Sequence, residues 1–185
     1  SALLFGIQLP ENFKRPYKAA SVAGFWRRWH MTLSSWVRDY VYFPLGGART
    51  DRPWKVYRNL MLTMLILGIW HGASWNFVIY GLLHGTVVCV NRWQRKRAGL
   101  SVDDEPTQGW PWLWRMALTF HFVVLARILF RAEDLGQAAT YSEVLLSFSA
   151  AIPRFSYTAL AAFVVGYAVH FSPERWEEAL DLAAE

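Results

Sequence analysis

Cysteine is nearly missing. Cys89 stands alone among 185 residues, which excludes an internal disulfide framework and a cysteine-based zinc site. Charged residues are also scarce, 18% against about 25% in an ordinary soluble domain. Residues 59–91, 33 consecutive positions, contain no Asp, Glu, Lys or Arg at all. The chain opens at Ser1 with no Met-initiated, positively headed leader, and so reads as a fragment or a processed piece. It has no H-E-x-x-H pattern, no G-x-S-x-G elbow and no Walker loop; Gly46-Gly47-Ala48-Arg49 lacks the lysine spacing such a loop needs. No carboxylate pair stands at metal-ligand spacing near a histidine, so no metal site is expected.

What the chain does have is apolar and aromatic. Hydrophobic residues make up 54%, with 11 Trp, 8 Tyr and 12 Phe. A mean hydropathy of +0.14 with that many tryptophans suits a membrane protein, whose interfaces enrich Trp and Tyr. The net charge of +5 is uneven: residues 1–58 carry +7, 92–115 carry +2, and 116–185 carry −4. Basic groups interleaved with aromatics would also suit single-stranded nucleic acid. No nucleic-acid motif accompanies them, and the neutral stretch beside them would be hard to keep in water. Cytoplasmic loops and anionic lipid headgroups account for them more simply, so a bilayer is the expected partner and nucleic acid is not.

Four membrane-compatible segments follow. In residues 21–43, Val22, Phe25, Trp26, Trp29, Leu33, Trp36, Val37 and Tyr40 recur at steps of three and four, with Arg27, Arg28, Arg38 and Asp39 off that stripe. The spacing predicts one amphipathic helix, N-capped by Ser21 and ended near Pro44, lying at a membrane surface with its arginines reaching water. A helix of a soluble core would show the same stripe. Residues 59–91 would reach roughly 50 Å as one helix, against a hydrocarbon thickness of about 30 Å. That is long for one span and short for two. A broken helix or a partly re-entrant hairpin is expected, with its break in Gly68-Ile69-Trp70-His71-Gly72-Ala73-Ser74. Non-helical backbone at membrane depth persists only where protein buries it or water lines it, so the break predicts a cavity. Beyond a polar loop at 101–109, Trp110, Trp112 and Trp114 suggest an interface belt leading into a helix over 116–130. A 19-residue uncharged run, 155–173, is long enough to cross once, and 174–185 form an acidic amphipathic tail.

Of five histidines, His71 stands out, because it sits in the neutral run at the expected break. An ionisable side chain at membrane depth marks a functional site, and a neutral imidazole can accept a proton near pH 7. The G-x-x-x-G spacings at Gly68/Gly72 and Gly81/Gly85 equally allow a hydrogen-bonded histidine at a close helix crossing. His84, His121 and His170 read as structural, and His30 as interfacial.

Phe25-Trp26-Arg27-Arg28-Trp29-His30, followed by Trp36-Val37-Arg38-Asp39-Tyr40-Val41-Tyr42-Phe43-Pro44-Leu45-Gly46-Gly47, resembles a signature of the membrane-bound O-acyltransferase (MBOAT) family. The likeness is strongest to the bacterial branch that acetylates alginate and similar exopolysaccharides, which includes the teichoic-acid D-alanyl transfer protein. Gly68-Ile69-Trp70-His71-Gly72-Ala73 through Trp75, and Tyr80-Gly81-Leu82-Leu83-His84-Gly85, are similar to the next block, and Phe130-Arg131-Ala132-Glu133-Asp134 to a third, weaker one. The blocks run in order over about 6–134, leaving 135–185 to further spans and the acidic tail. Just before the third block, Ala126-Arg127 departs from the apolar or aromatic residues expected there.

The resemblance implies an all-α, multi-span helical membrane protein. This chain would then be the C-terminal part of a single MBOAT domain roughly twice its length or more, in a bacterial inner membrane. It implies a catalytic His71, in the Trp-His-Gly position, and a second histidine, His30, in the Arg-Trp-His position. The expected reaction moves an acyl group, acetyl in the first instance, from a thioester donor (acetyl-coenzyme A or an acyl carrier) to a hydroxyl of an extracytoplasmic polysaccharide. His71 would act as general base, and no cofactor would be tightly bound. Trp70, Trp75 and Asn76 are candidate pocket residues by adjacency. Periplasmic acetyltransferases or acyl-carrier proteins are candidate partners. The competing class is a non-enzymatic membrane scaffold or exporter subunit for polysaccharide, which leaves a histidine at the helix break without a purpose.

Overall fold

The computed structural model describes residues 6, 7, 9–101, 104–147 and 156–172. Within them the regular secondary structure is helical, apart from one isolated antiparallel bridge between Phe13 and Trp29. The elements are a short 3-10 turn Pro16–Lys18, α1 (Val22–Trp26), α2 (Met31–Val37), a π-helical turn Arg38–Tyr42, α3 (Pro53–Trp70), α4 (Trp75–Arg97), α5 (Gly109–Arg131), α6 (Leu135–Ser147) and α7 (Tyr157–Phe171). Residues 1–148 form one compact unit and 149–185 a second, of which α7 is the described part. The acidic tail expected at 174–185 lies outside the described residues, as do positions 102 and 103 of the polar loop.

The neutral run folds as an antiparallel hairpin. Pro53 opens α3, where its missing N–H costs nothing. The helix stops at Trp70, and Ser74 caps α4 by accepting a hydrogen bond from Asn76 N at 3.3 Å. The break therefore falls where the glycines and the polar triplet put it. The arms, however, are longer than the uncharged stretch. Arg95, Lys96 and Arg97 form the last turn of α4, where cations favour the helix C-terminus. The outer turns of both helices carry charge, so the uncharged stretch is shorter than the hairpin.

Glycine sets the spacing of the two arms. A Cβ on Gly81 would stand 2.7 Å from the Met64 carbonyl oxygen and 3.0 Å from Leu65 Cα, and one on Gly68 would run into the Phe77 carbonyl. The crossing is thus backbone against backbone. Gly72 does not join it; its neighbour is the Phe77 ring. At the base of the hairpin Asn59, fully buried, donates to the carbonyls of Leu45 and Gly47 at 2.9 and 3.2 Å, and so fixes the turn after Pro44.

The surface helix expected over 21–43 is interrupted. Ser21 caps α1 as expected, accepting from Gly24 N at 2.9 Å. At His30 the backbone then enters the left-handed region (φ 50°, ψ 52°) before α2 begins. The reason is a competing backbone partner. Lys14 N donates to Arg28 O and Met31 N to Asn12 O, both at 2.9 Å, so residues 12–14 occupy groups that an unbroken helix would have bonded internally. Side-chain periodicity survives such a turn, which is why the stripe did not show it.

The tryptophan belt and the helix after it are one element. Trp110, Trp112 and Trp114 form the opening turns of α5, and Trp112 Nε1 donates to Lys18 O at 3.0 Å. The α5 helix packs against α4 in antiparallel register, His84 against Phe122 and Phe77 against Phe130. Phe25, Trp26, Leu67, Tyr80, Val88, Val123 and Ala126 meet in one core. Among the described residues α5 is the one helix both long and apolar enough to cross a membrane by length and composition; α7, with 15 residues, is shorter.

Candidate active site

His71 sits at the tip of the hairpin, directly after α3, its N–H bonded to Gly68 O at 3.0 Å. Aromatic rings surround the imidazole: Trp70 and Phe130 each at 4.9 Å between centroids, Phe77 at 6.1 Å and Tyr80 at 6.5 Å. The residue is half-buried, and neither ring nitrogen hydrogen-bonds another described residue. A half-sheltered imidazole with free nitrogens can take a proton from a bound hydroxyl.

His30 comes to the same place from α2's start. Its ring lies 6.3 Å from that of Trp70, so Trp70 meets both histidines. Asn12 Oδ1 accepts from Thr32 N (3.1 Å) and Thr32 Oγ1 (2.9 Å), which turns the Asn12 amide nitrogen toward His30 Nδ1 at 3.4 Å. With Nδ1 accepting, the neutral ring carries its proton on Nε2.

His84 belongs to the core. It is fully buried, its Nδ1 accepts from Trp26 Nε1 at 3.2 Å, and its ring packs on Tyr80 at 4.4 Å. This is the structural role its spacing suggested.

Two of the adjacency-based pocket candidates have other surroundings. Trp75 is 72% exposed and its ring meets no other described ring, because the cap at Ser74 turns the first residue of α4 outward. Asn76 is buried, and its amide nitrogen donates 2.8 Å to Ala132 O, which fastens the start of α4 to the end of α5. That bond holds Phe130 against His71. Phe130 itself had no spacing signal; only its place in the third block pointed to it. Asn12 gave no sequence signal at all. Among the described residues no three His, Cys, Asp or Glu side chains gather to hold a metal ion.

A cavity of about 850 Å³ runs beside the hairpin. Its floor includes Trp26, Leu60, Met64, Leu67 and Val88, and Arg27, Arg38, Arg92, Arg95 and Lys96 border it. Leu67 is one helical turn before His71, whereas Arg92 and Lys96 lie at the far, basic end of α4. Glu105 crosses from the loop before α5, accepting from Arg95 at 2.9 Å, from Arg27 at 3.3 Å and from Ser21 Oγ.

Such a chain is an all-helical protein with a histidine pair gathered around one tryptophan at the end of a tight hairpin. The membrane-bound O-acyltransferase family model matches residues 1–132, and the chain belongs to that family. It is 43% identical over 146 residues to the probable alginate O-acetylase AlgI of Pseudomonas putida, covering 79% of this chain and 28% of that protein. It is 46% identical over 136 residues to the peptidoglycan O-acetyltransferase of Helicobacter pylori, covering 74% and 25%. Similarity extends at 34% identity over 140 residues to the teichoic acid D-alanyltransferase of Bacillus subtilis, covering 70% and 34%. The chain thus spans about a quarter to a third of the length of these relatives.

Proposed function

We propose that the chain is the histidine-bearing part of a multi-pass O-acyltransferase of a bacterial inner membrane, moving an acetyl or related acyl group onto a hydroxyl of an extracytoplasmic polysaccharide such as alginate. The observation that carries this reading is His71, a half-buried imidazole with unoccupied nitrogens where the hairpin loses its helix. In the reaction the acceptor oxygen attacks the thioester carbonyl carbon while His71 takes the hydroxyl proton. The tetrahedral intermediate collapses, the carbon–sulfur bond breaks, and the proton passes to the departing thiolate. Base catalysis of this kind contributes roughly 10²–10⁴-fold. His30, with its Nε2–H, donates to the acceptor or to the thioester oxygen, and Trp70 holds the two rings apart. No acyl-enzyme is needed, because two substrates held in one site already gain from orientation.

The donor is a thioester, either acetyl-coenzyme A or an acylated carrier protein. The cavity beside the hairpin supports this: its cationic border suits phosphate, and its apolar floor, which reaches Leu67 on α3, suits a pantetheine-like arm. Helix lengths support several crossings. The 18 residues of α3 reach about 27 Å and the 23 residues each of α4 and α5 about 35 Å, against a hydrocarbon core of about 30 Å. Basic residues at the open end of the hairpin support a cytoplasmic side for that end.

The test uses the full-length gene in a deletion strain. His71→Ala is expected to abolish alkali-labile acyl ester on the envelope polymer while protein abundance in the membrane fraction is unchanged. Ester content near the wild-type level with His71→Ala would remove the catalytic assignment and favour a polysaccharide scaffold or exporter subunit.

A further inference from the structure

Arg127 stands in the apolar helix α5 where the family resemblance led us to expect an apolar or aromatic residue. A guanidinium keeps its charge at any accessible pH, so it needs a partner or water. No acidic side chain pairs with it among the described residues, and its Nε is shut off from solvent without a hydrogen bond. What it has is a ring: the guanidinium carbon lies 4.8 Å from the centroid of Trp29. Trp29 is in turn stacked on Phe25 (5.6 Å, 16° between planes) and meets the edge of Phe13 at 4.9 Å. It is also the residue bridged to Phe13 through the backbone. Directly after it the chain turns left-handed at His30.

A left-handed histidine persists only where its surroundings over-determine it. Phe25 and Phe13 hold Trp29 from the N-terminal side, and Arg127 adds a charged contact from α5 to the apolar packing Trp29 makes with the core. One turn further along α5, Phe130 packs on His71. The same helix therefore touches one histidine directly and the residue beside the other. We infer that Arg127 is a positioning residue: by its cation–π contact with Trp29 it steadies from α5 the left-handed turn that the backbone bonds of residues 12–14 set, and so keeps the His30 imidazole presented to Trp70 and His71. The inference rests on the acyltransferase reading and deepens it, since it says what keeps the two histidines in register.

The experiment measures the rate at which alkali-labile acyl ester accumulates on envelope polymer after induction of the full-length protein, normalised to enzyme in the membrane. Arg127→Met, which keeps bulk and removes charge, is expected to lower the rate roughly tenfold, and Arg127→Lys, which keeps a cation over the ring, to recover most of it. In a His30→Gln background Arg127→Met is expected to cost nothing further, because its effect passes through residue 30. An independent measurement follows maleimide labelling of His30→Cys in the full-length protein with Cys89 and every other native cysteine replaced by Ala, where adding Arg127→Met is expected to change the labelling rate. Full activity of Arg127→Met, additive losses with His30→Gln, or an unchanged labelling rate would each overturn the inference. Absence of ester from the wild-type strain would instead take down the transferase reading beneath it.

Discussion

Single side chains carry much of this structure's long-range order, and Glu105 is the plainest case. From a loop that looks merely polar in sequence, it reaches the N-cap of α1, the arginine after α1 and the last turn of α4. Its carboxylate is 12% exposed, so screening by solvent is weak. Glu105→Ala is expected to lower unfolding stability by about 1.5–3 kcal/mol, the range for hydrogen bonds to a charged group, as read from thermal unfolding in detergent. Nothing in the sequence distinguishes Glu105 from its acidic neighbours, because Arg27 stands 78 residues away and Arg95, ten residues away, meets it only once the chain has folded back from the end of α4. His71 was legible for the opposite reason: its signal is local, an ionisable group inside a neutral run beside a glycine. His30 was legible only through the resemblance, and its left-handed backbone not at all.

Among the elements, the hairpin was the easiest to read and the surface helix the hardest. Absence of charge and a polar, glycine-rich break are properties of the segment itself, so the position of the turn between α3 and α4 follows from them. The interruption at residue 30 depends on hydrogen bonds from residues 12–14, a partnership with no periodic trace. The hairpin also yields a graded prediction. Gly81→Ala puts a methyl group against the α3 backbone and is expected to cost about 1–3 kcal/mol by overpacking. Gly85→Ala meets chiefly the flexible Met61 sulfur, 2.7 Å from the added carbon, and is expected to cost less. Thermal midpoints of the two variants in one detergent check the order. Equal losses would mean that the crossing is not governed by backbone contact at Gly81.

For the molecule as a whole, the apolar surface decides the environment. Leu118, Val124 and Leu125 are exposed on α5, and so, in the second unit, are Phe163, Val164 and Val165 on α7; each helix by itself offers side chains suited to acyl chains. Leu118→Arg, near the middle of α5, is expected to make insertion of that helix about 2.5–3.5 kcal/mol less favourable, visible as a smaller share of full-length protein resisting carbonate extraction. The all-helical class and the family were legible in the sequence, since both rest on composition and ordered motifs. Which aromatic rings enclose which histidine was not, because that is decided where α4 and α5 meet. One mechanical consequence follows from the contact between Gly68 and Gly81. Two rods touching through bare main chain cannot slip past one another without collision, so the imidazole at their tip rides on a stiff strut, and any larger motion near it has to come from elsewhere.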